Sequence, residues 1–225
     1  MSYRQSPISK SHKSNFVRER DEWDFMMDPA HFKQMLRFIK KQPLRRMKKE
    51  FQRRDYMLMV LMGNLGLRIS EVVVLQKKHF DLLRRKYPVA KVPTAKQRAR
   101  DATKPVYVHP KVAEAIHKYF LEYVYKNQKY LFPGGSGDGH VSDRWVRDIF
   151  YHYVRECEFE EAYTPHSLRH MFISVIYNRT DDKVFVRDQA RHSKASMGLG
   201  STGRYIHELN PEKRFKLVLK TGYFL

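Results

Sequence analysis

Residues 165–170, PHSLRH, place two histidines and an arginine within a turn and a half of an expected helix. Thr164 suits the N-cap and Pro165 the first helical position, so His166 and Arg169 fall in the first turn. That turn attracts anions. Its free N–H groups and the positive end of the helix dipole favour a phosphate, and a guanidinium fork binds two phosphate oxygens at once. Leu168, Met171, Phe172, Val175 and Ile176 recur at helical spacing and form the expected buried stripe, which assigns His166, Arg169 and His170 to the other side. The same spacing admits two other readings. His166 and His170 are four apart, as on a zinc-binding helix, but Ser167 stands where a metalloprotease keeps its glutamate base, so no metal is expected. The six residues also fit a capped helix with satisfied polar side chains, and the rest of the chain must decide.

The elements that would hold these residues are mostly helical. Asp28 and Pro29 open a helix with Phe32, Met35, Leu36 and Ile39 on one face. RRDYMLMVLMGN reads as a second helix ending at Gly63 and Asn64, and RISEVVVLQ as a third. RKYPVAKV and KPVYVHP read as two short strands joined by the basic loop PTAKQRARDAT. Helices resume with KVAEAIHKYFLEYVYKN and, after the glycine-rich loop FPGGSGDGH, with a segment N-capped by Ser142. The expected class is α+β, mostly α-helical, with a small antiparallel hairpin. Residues 1–27, polar and basic without periodicity, are expected to be a flexible arm ahead of one domain over 28–225.

The balance of 44 Lys and Arg against 24 Asp and Glu leaves a net charge of +20, which calls for a polyanionic partner. A hydrophobic share of 42% is too rich for a disordered basic tail. Lys40 to Arg54 carries eight basic residues against Glu50, and Arg84 to Lys104 carries eight against Asp101. From these runs and from the helix after Ser142, the expected DNA contacts are Arg45, Arg46, Lys48, Lys49, Arg53, Arg98, Arg100, Arg144 and Arg147. A single cysteine, Cys157, excludes an intramolecular disulfide framework. The longest apolar stretch, from Tyr56, is too short to span a bilayer and is interrupted by glycine, and the amino terminus lacks a secretory signal. A cytoplasmic, DNA-associated location without membrane contact is expected.

At this level the chain resembles the tyrosine recombinases, or phage-type integrases, over roughly residues 28–225, with the type IB topoisomerases as more distant relatives. GLRISE looks like the first arginine box and implies Arg68 as a phosphate clamp and Glu71 as its supporting carboxylate. Lys96 in TAKQ sits where the family's hairpin lysine is expected, with Lys91 as the alternative. HSLRH looks like the His-x-x-Arg box and implies His166 and Arg169, followed by His170. RHSK resembles the late Gly-His-Ser segment and implies His192, and GRYIH resembles the nucleophile box and implies Tyr205, with Tyr163 and Tyr177 as fallbacks. All of them occur in the family's order.

The resemblance implies a tyrosine recombinase catalytic-domain fold and a site-specific recombinase that needs no cofactor. Arg68 and Arg169 would stabilise charge on the phosphoryl group, and nearby cations would lower the pKa of Tyr205 from the phenol's ordinary value of about 10. Lys96 would protonate the leaving oxygen, and His166 and His192 would orient the phosphate or move protons. The implied product is a 3′-phosphotyrosyl link, formed on double-stranded DNA by a homo-oligomer, in the family a tetramer on two duplexes. Two rivals use similar residues: a type IB topoisomerase-like activity, and a non-catalytic DNA-binding accessory protein. The chain departs from the family in having no evident helical core-binding domain ahead of the catalytic one, which leaves three expectations open: the basic arm does a reduced version of that job, an accessory protein does it, or this chain is a fragment of a longer one. It also carries Arg191 where the family has glycine, and thirteen positions separate His192 from Tyr205.

Overall fold

Asp28 starts the first helix as its sequence dictates: Oδ1 accepts from the Ala30 N–H at 2.5 Å, and Pro29 follows at the first helical position. The computed structural model describes residues 26–43, 48–83, 87–93, 103–124, 128–135, 139–192 and 211–225. The expected arm up to residue 25 lies outside them, whereas Met27 is fully buried and its N–H donates to Ser167 O at 3.2 Å.

Helix α1 (Pro29–Lys41) buries Phe32, Met35, Leu36 and Ile39, the face its spacing predicts. Helix α2 (Lys49–Leu65) is buried on every side from Tyr56 to Gly63, the mark of a core helix. It runs through the expected stop at Gly63 and Asn64. A Cβ at Gly63 would stand 2.2 Å from the Phe32 ring, so this glycine serves a close helix crossing and not a helix end. Asn64 Nδ2 donates to Val60 O at 3.0 Å and to Phe224 O at 2.8 Å, tying the carboxy-terminal tail to α2. The helix ends at Gly66, which adopts the left-handed φ of +55°.

The third helix is shorter than expected: α3 spans only Ile69–Val72. The run of β-branched valines after it propagates a helix poorly, and Leu75 O instead accepts from Leu131 N at 2.7 Å. An unexpected two-residue strand, β1 (Phe80–Asp81), extends the hairpin of β2 (Val89–Pro93) and β3 (Thr103–Tyr107) into an antiparallel sheet, order β1-β2-β3, with Ala90 opposite Val106. Helices α4 (Pro110–Tyr123) and α5 (Asp143–Glu156) follow, the latter capped by Ser142 Oγ, which accepts from Trp145 N at 3.1 Å. The buried Tyr153 hydroxyl donates to Asp55 at 2.9 Å and joins α5 to α2.

Helix α6 (Pro165–Thr180) lies between two apolar clusters. Leu168 and Met171 belong to the main core, while Phe172 and Ile176 pack with Phe185, Val186 and Val218. Phe185 and Val186 belong to α7 (Lys183–Gln189), a short helix not anticipated from periodicity, and Val218 to α8 (Pro211–Thr221). The tail beyond α8 folds onto its own chain, with the Phe224 ring 5.7 Å from that of Phe32. The result is a helical body with one small antiparallel sheet, the expected class. No helix among the described residues is long and apolar enough to cross a membrane.

Candidate active site

The end of α2, the turn into α3, the start of α6 and the end of α7 meet at one place. Gly66 lets them do so: besides its left-handed backbone, a Cβ there would stand 2.2 Å from Phe172 Cδ1 on α6. Arg68 caps α3, and the Glu71 carboxylate folds back over the turn. Oε2 accepts the Arg68 N–H at 2.8 Å and Oε1 accepts Arg68 Nη1 at 2.9 Å. The Arg68 side chain remains 42% exposed while that of Glu71 is 4% exposed, so the cation keeps free donors and its carboxylate does not.

On α6, Ser167 Oγ accepts the Thr164 N–H at 3.0 Å and secures the first turn. Arg169 departs from the expected arrangement. It is 2% exposed, on the buried side of a helix whose His166 and His170 face outward. Its guanidinium donates to Gly66 O at 2.5 Å and to Ala190 O. The ends of α2 and α7 close over this face and supply carbonyls, so Arg169 enters the interior with partners. The His166 and His170 rings meet edge to face, with centroids 4.8 Å apart.

Sequence reasoning treated Arg191 only as a departure from the family pattern, yet it completes the cluster. Its φ of +58° is the left-handed conformation that favours glycine. The side chain is fully buried. Nε and Nη2 donate to Glu71 at 3.3 and 2.8 Å, Nη1 to Leu65 O at 3.1 Å and Gln189 O at 2.8 Å, and Nη2 also to Gly66 O at 2.8 Å. Gly66 O thus accepts from both Arg169 and Arg191. An arginine in place of the pattern's glycine is the only signal the sequence offers, and nothing local to it reveals its partners.

The charges shape the titration of the site. Burial raises the Glu71 carboxyl, but Arg191, the Arg68 N–H and Arg169 together hold it below the usual range. Burial, reinforced by Arg191 and Arg68 and opposed by Glu71, lowers Arg169 to about 9, which leaves it charged at neutral pH. Burial lowers His192 to about 4, with Arg169, Arg68 and Arg191 adding to the effect and Glu71 opposing it. His166 is lowered by burial, His170, Arg169 and Arg68, and His170 by burial and Arg169. The imidazoles are therefore neutral at pH 7, able to accept as well as donate. His192 Nδ1 is buried without a hydrogen-bond partner among the described residues.

Arg68 and His166 share a cleft of about 330 Å³ with Arg147, Tyr151 and Asp143. Its chemistry suits a singly charged phosphodiester: exposed donors on Arg68, cations behind them, and neutral imidazoles at the edge. A second cavity, of about 170 Å³, holds Lys104, Arg191, His192 and Arg214. Lys104 and its neighbour Pro105 bring β3 to this cavity. Lys96, Arg98, Arg100, Arg45, Arg46 and Tyr205 lie outside the described residues.

The alternatives are placed away from the cleft or in different surroundings. Tyr163 is 4% exposed, with its hydroxyl 2.9 Å from His31 Nδ1. Tyr177 is exposed on α6, and Lys91 is an exposed residue within β2. Of the expected DNA contacts, Arg147 is exposed at the cleft, and Arg144 is exposed one turn earlier, 3.9 Å from Asp148. Lys48 and Lys49 are exposed and Arg53 half-buried at the opposite end of α2 from Gly66.

A family model described as the phage integrase family matches residues 26–211. The chain belongs to that family. The XerC tyrosine recombinase of Staphylococcus epidermidis is 27% identical over 164 residues, covering 72% of this chain and 51% of the relative. A tyrosine recombinase of Pseudothermotoga lettingae is 26% identical over 190 residues, covering 84% of this chain and 58% of the relative. The chain thus spans little more than half the length of these curated relatives. In fold it is similar to the XerH site-specific recombinase bound to difH substrate in a pre-cleavage complex, with a TM-score of 0.62 at 19% identity over 84% of this chain and 52% of that one. It is also similar to the Tn1549 transposon integrase in complex with circular intermediate DNA, with a TM-score of 0.60 at 18% identity over 88% of this chain and 67% of that one.

Proposed function

We propose that this phage integrase family domain cleaves and rejoins double-stranded DNA at specific sites, with Tyr205 as nucleophile. The observation that carries the reading is the convergence of Arg68, the first turn of α6 with His166 and Arg169, and His192 at the junction of α2, α3, α6 and α7, with Arg68 and His166 opening onto the cleft and Arg169 and His192 interacting behind them. In the proposed reaction the Tyr205 phenol passes its proton to a neutral imidazole of the site, His166 or His192, as its oxygen bonds to phosphorus. The bond from phosphorus to the 5′-oxygen breaks, and that oxygen takes a proton from Lys96. The product is a 3′-phosphotyrosyl link and a free 5′-hydroxyl. Because the link retains the phosphodiester's bond energy, joining is the reverse attack and draws on neither ATP nor metal.

The same proposal includes a homo-oligomer on two synapsed duplexes, an accessory DNA-binding element where the family places its core-binding domain, and a DNA-associated location in the cell. The test is covalent capture. Wild-type protein and Tyr205→Phe are incubated with sheared genomic DNA from the source, denatured, and the DNA that remains attached to protein is sequenced. An adduct with a recurring sequence, present in wild type and absent from Tyr205→Phe, is the expected result. DNA binding without any adduct overturns the catalytic reading in favour of an accessory DNA-binding role, and relaxation of supercoiled plasmid at no defined site favours topoisomerase-like activity.

A further inference from the structure

We infer that Arg191 is a positioning residue of the phosphate site, holding Arg68 and Arg169 in register through the acceptors it shares with them. The inference rests on the reading of those two arginines as a phosphate clamp.

Its position is the first argument. An arginine in the left-handed conformation, with a fully buried side chain, is a poor choice for filling space. Here all five guanidinium N–H groups have acceptors, on Glu71, Leu65, Gly66 and Gln189. The second argument is which acceptors they are. Glu71 Oε2 takes the Arg68 N–H at 2.8 Å and Arg191 Nη2 at 2.8 Å, while Oε1 takes Arg68 Nη1 at 2.9 Å. Gly66 O takes Arg169 Nη1 at 2.5 Å and Arg191 Nη2 at 2.8 Å. Arg191 therefore touches what anchors each clamp, and its fork fixes the distance between the two anchors. Arg191 is buried behind Glu71, so it acts through Arg68 and Arg169 and not on the substrate.

The bland alternative is that Arg191 merely neutralises Glu71. The charged and titratable groups facing Glu71 are Arg68 on its own turn, Arg169 on α6, and Arg191 and His192 after α7. Without Arg191 the strongest attraction on the carboxylate is gone, and burial raises its pKa. Protonated Glu71 could then no longer accept from both the backbone and the side chain of Arg68. Arg191→Lys, which keeps the charge but not the fork, separates the two roles, and Arg191→Gly/Glu71→Gln, which leaves no unpaired buried carboxylate and restores the family's glycine, is compared with Glu71→Gln alone because a glutamine there offers Arg68 one acceptor oxygen in place of two.

Orthovanadate, a mimic of the phosphoryl group in transfer, reports clamp alignment without requiring DNA cleavage. Calorimetry should show vanadate binding to full-chain wild type and at least about tenfold weaker binding to the double variant than to Glu71→Gln, since misplacing a preorganised oxyanion donor loses on the order of that or more. The unfolding temperature of the double variant should fall, because the carbonyls of Leu65 and Gln189 lose their buried partner and a cavity is left, while its DNA affinity should stay within about threefold, because clamps act mainly in the transition state. Arg191→Lys should keep the charge but lose stability and vanadate affinity, having three donors and a point charge in place of the five donors of the fork. In Arg191→Gly alone, adduct formation should fall as pH is lowered and Glu71 protonates, a limb absent from the double variant. Vanadate binding by the double variant equal to that of Glu71→Gln overturns the inference, and so does a wild type that binds no vanadate. Vanadate binding without any DNA adduct sinks the recombinase reading instead and leaves Arg191 to be decided by the vanadate comparison.

Discussion

Arg169 and Arg68 carry the same charge into the same site, but their surroundings predict different consequences of losing them. Arg169 is 2% exposed and donates to the carbonyls of Gly66 and Ala190, whereas the Arg68 side chain is 42% exposed and its anchor Glu71 has Arg191 as a second partner. Arg169→Ala leaves a buried carbonyl and a cavity and should lower unfolding free energy by roughly 2–4 kcal/mol. Arg68→Ala should cost less than about 1 kcal/mol, as expected of a partly exposed ion pair. Adduct formation should fall by at least about a hundredfold in both, because each supplies charge that matters most in the transition state. Chemical unfolding and single-turnover cleavage on a captured site check the pair, and equal stability losses would show that burial of Arg169 contributes nothing. At this scale the residue types were legible and the burial was not. HSLRH announces a phosphate-seeking turn through its own cap and spacing, but the carbonyls that receive Arg169 come from Gly66 and Ala190, 103 and 21 positions away. Arg191 was illegible for the same reason, its carboxylate partner being 120 positions distant.

Among the elements, the junction of α2 with α3 governs the site because it brings Gly66 O to the two buried arginines. Gly66→Ala should destabilise the protein by about 2–4 kcal/mol, combining the left-handed cost of an L-residue with displacement of the Phe172 ring, which an added Cβ would approach to 2.2 Å. It should also slow adduct formation more than DNA binding, since the displaced carbonyl anchors Arg169. Denaturant titration and single-turnover kinetics measure both effects, and a stability loss below about 1 kcal/mol would mean that α6 moves aside freely. Local signals located the elements well where they were local. The caps at Asp28 and Ser142 and the stripe of α1 follow from neighbours in sequence. The end of α2 did not, because Gly63 signals a helix end by composition while Phe32, packed against it, makes it a crossing point. The helix α7 is only two turns long, too short for periodicity to declare it, and its apolar pair Phe185 and Val186 acquires a face only when α6 and α8 close over it.

For the molecule as a whole, the surplus of +20 matters less than where its exposed members stand. Arg147 lies at the cleft with Arg68, while Lys48 and Lys49 lie at the other end of α2. Sixteen residues of helix separate Lys49 from Leu65, a rise of about 24 Å, or about two-thirds of a turn of B-DNA. A duplex centred on the cleft and running along α2 would therefore meet both groups, whereas one crossing α2 would meet Arg147 alone. Each neutralised phosphate contributes about 0.9 to the slope of log affinity against log salt. Arg147→Ala should reduce the steepness of that slope by about 1 and weaken binding to all sequences alike, because phosphate contacts position the duplex without reading it. The double variant Lys48→Ala/Lys49→Ala should reduce it by about 2 if the duplex follows α2, and leave it unchanged if the duplex crosses. Fluorescence anisotropy on one labelled duplex over a series of salt concentrations reads both slopes. An unchanged slope for Arg147→Ala would remove from the DNA path the cleft that Arg147 and Arg68 both line, and with it the assignment of Arg68 to a phosphate.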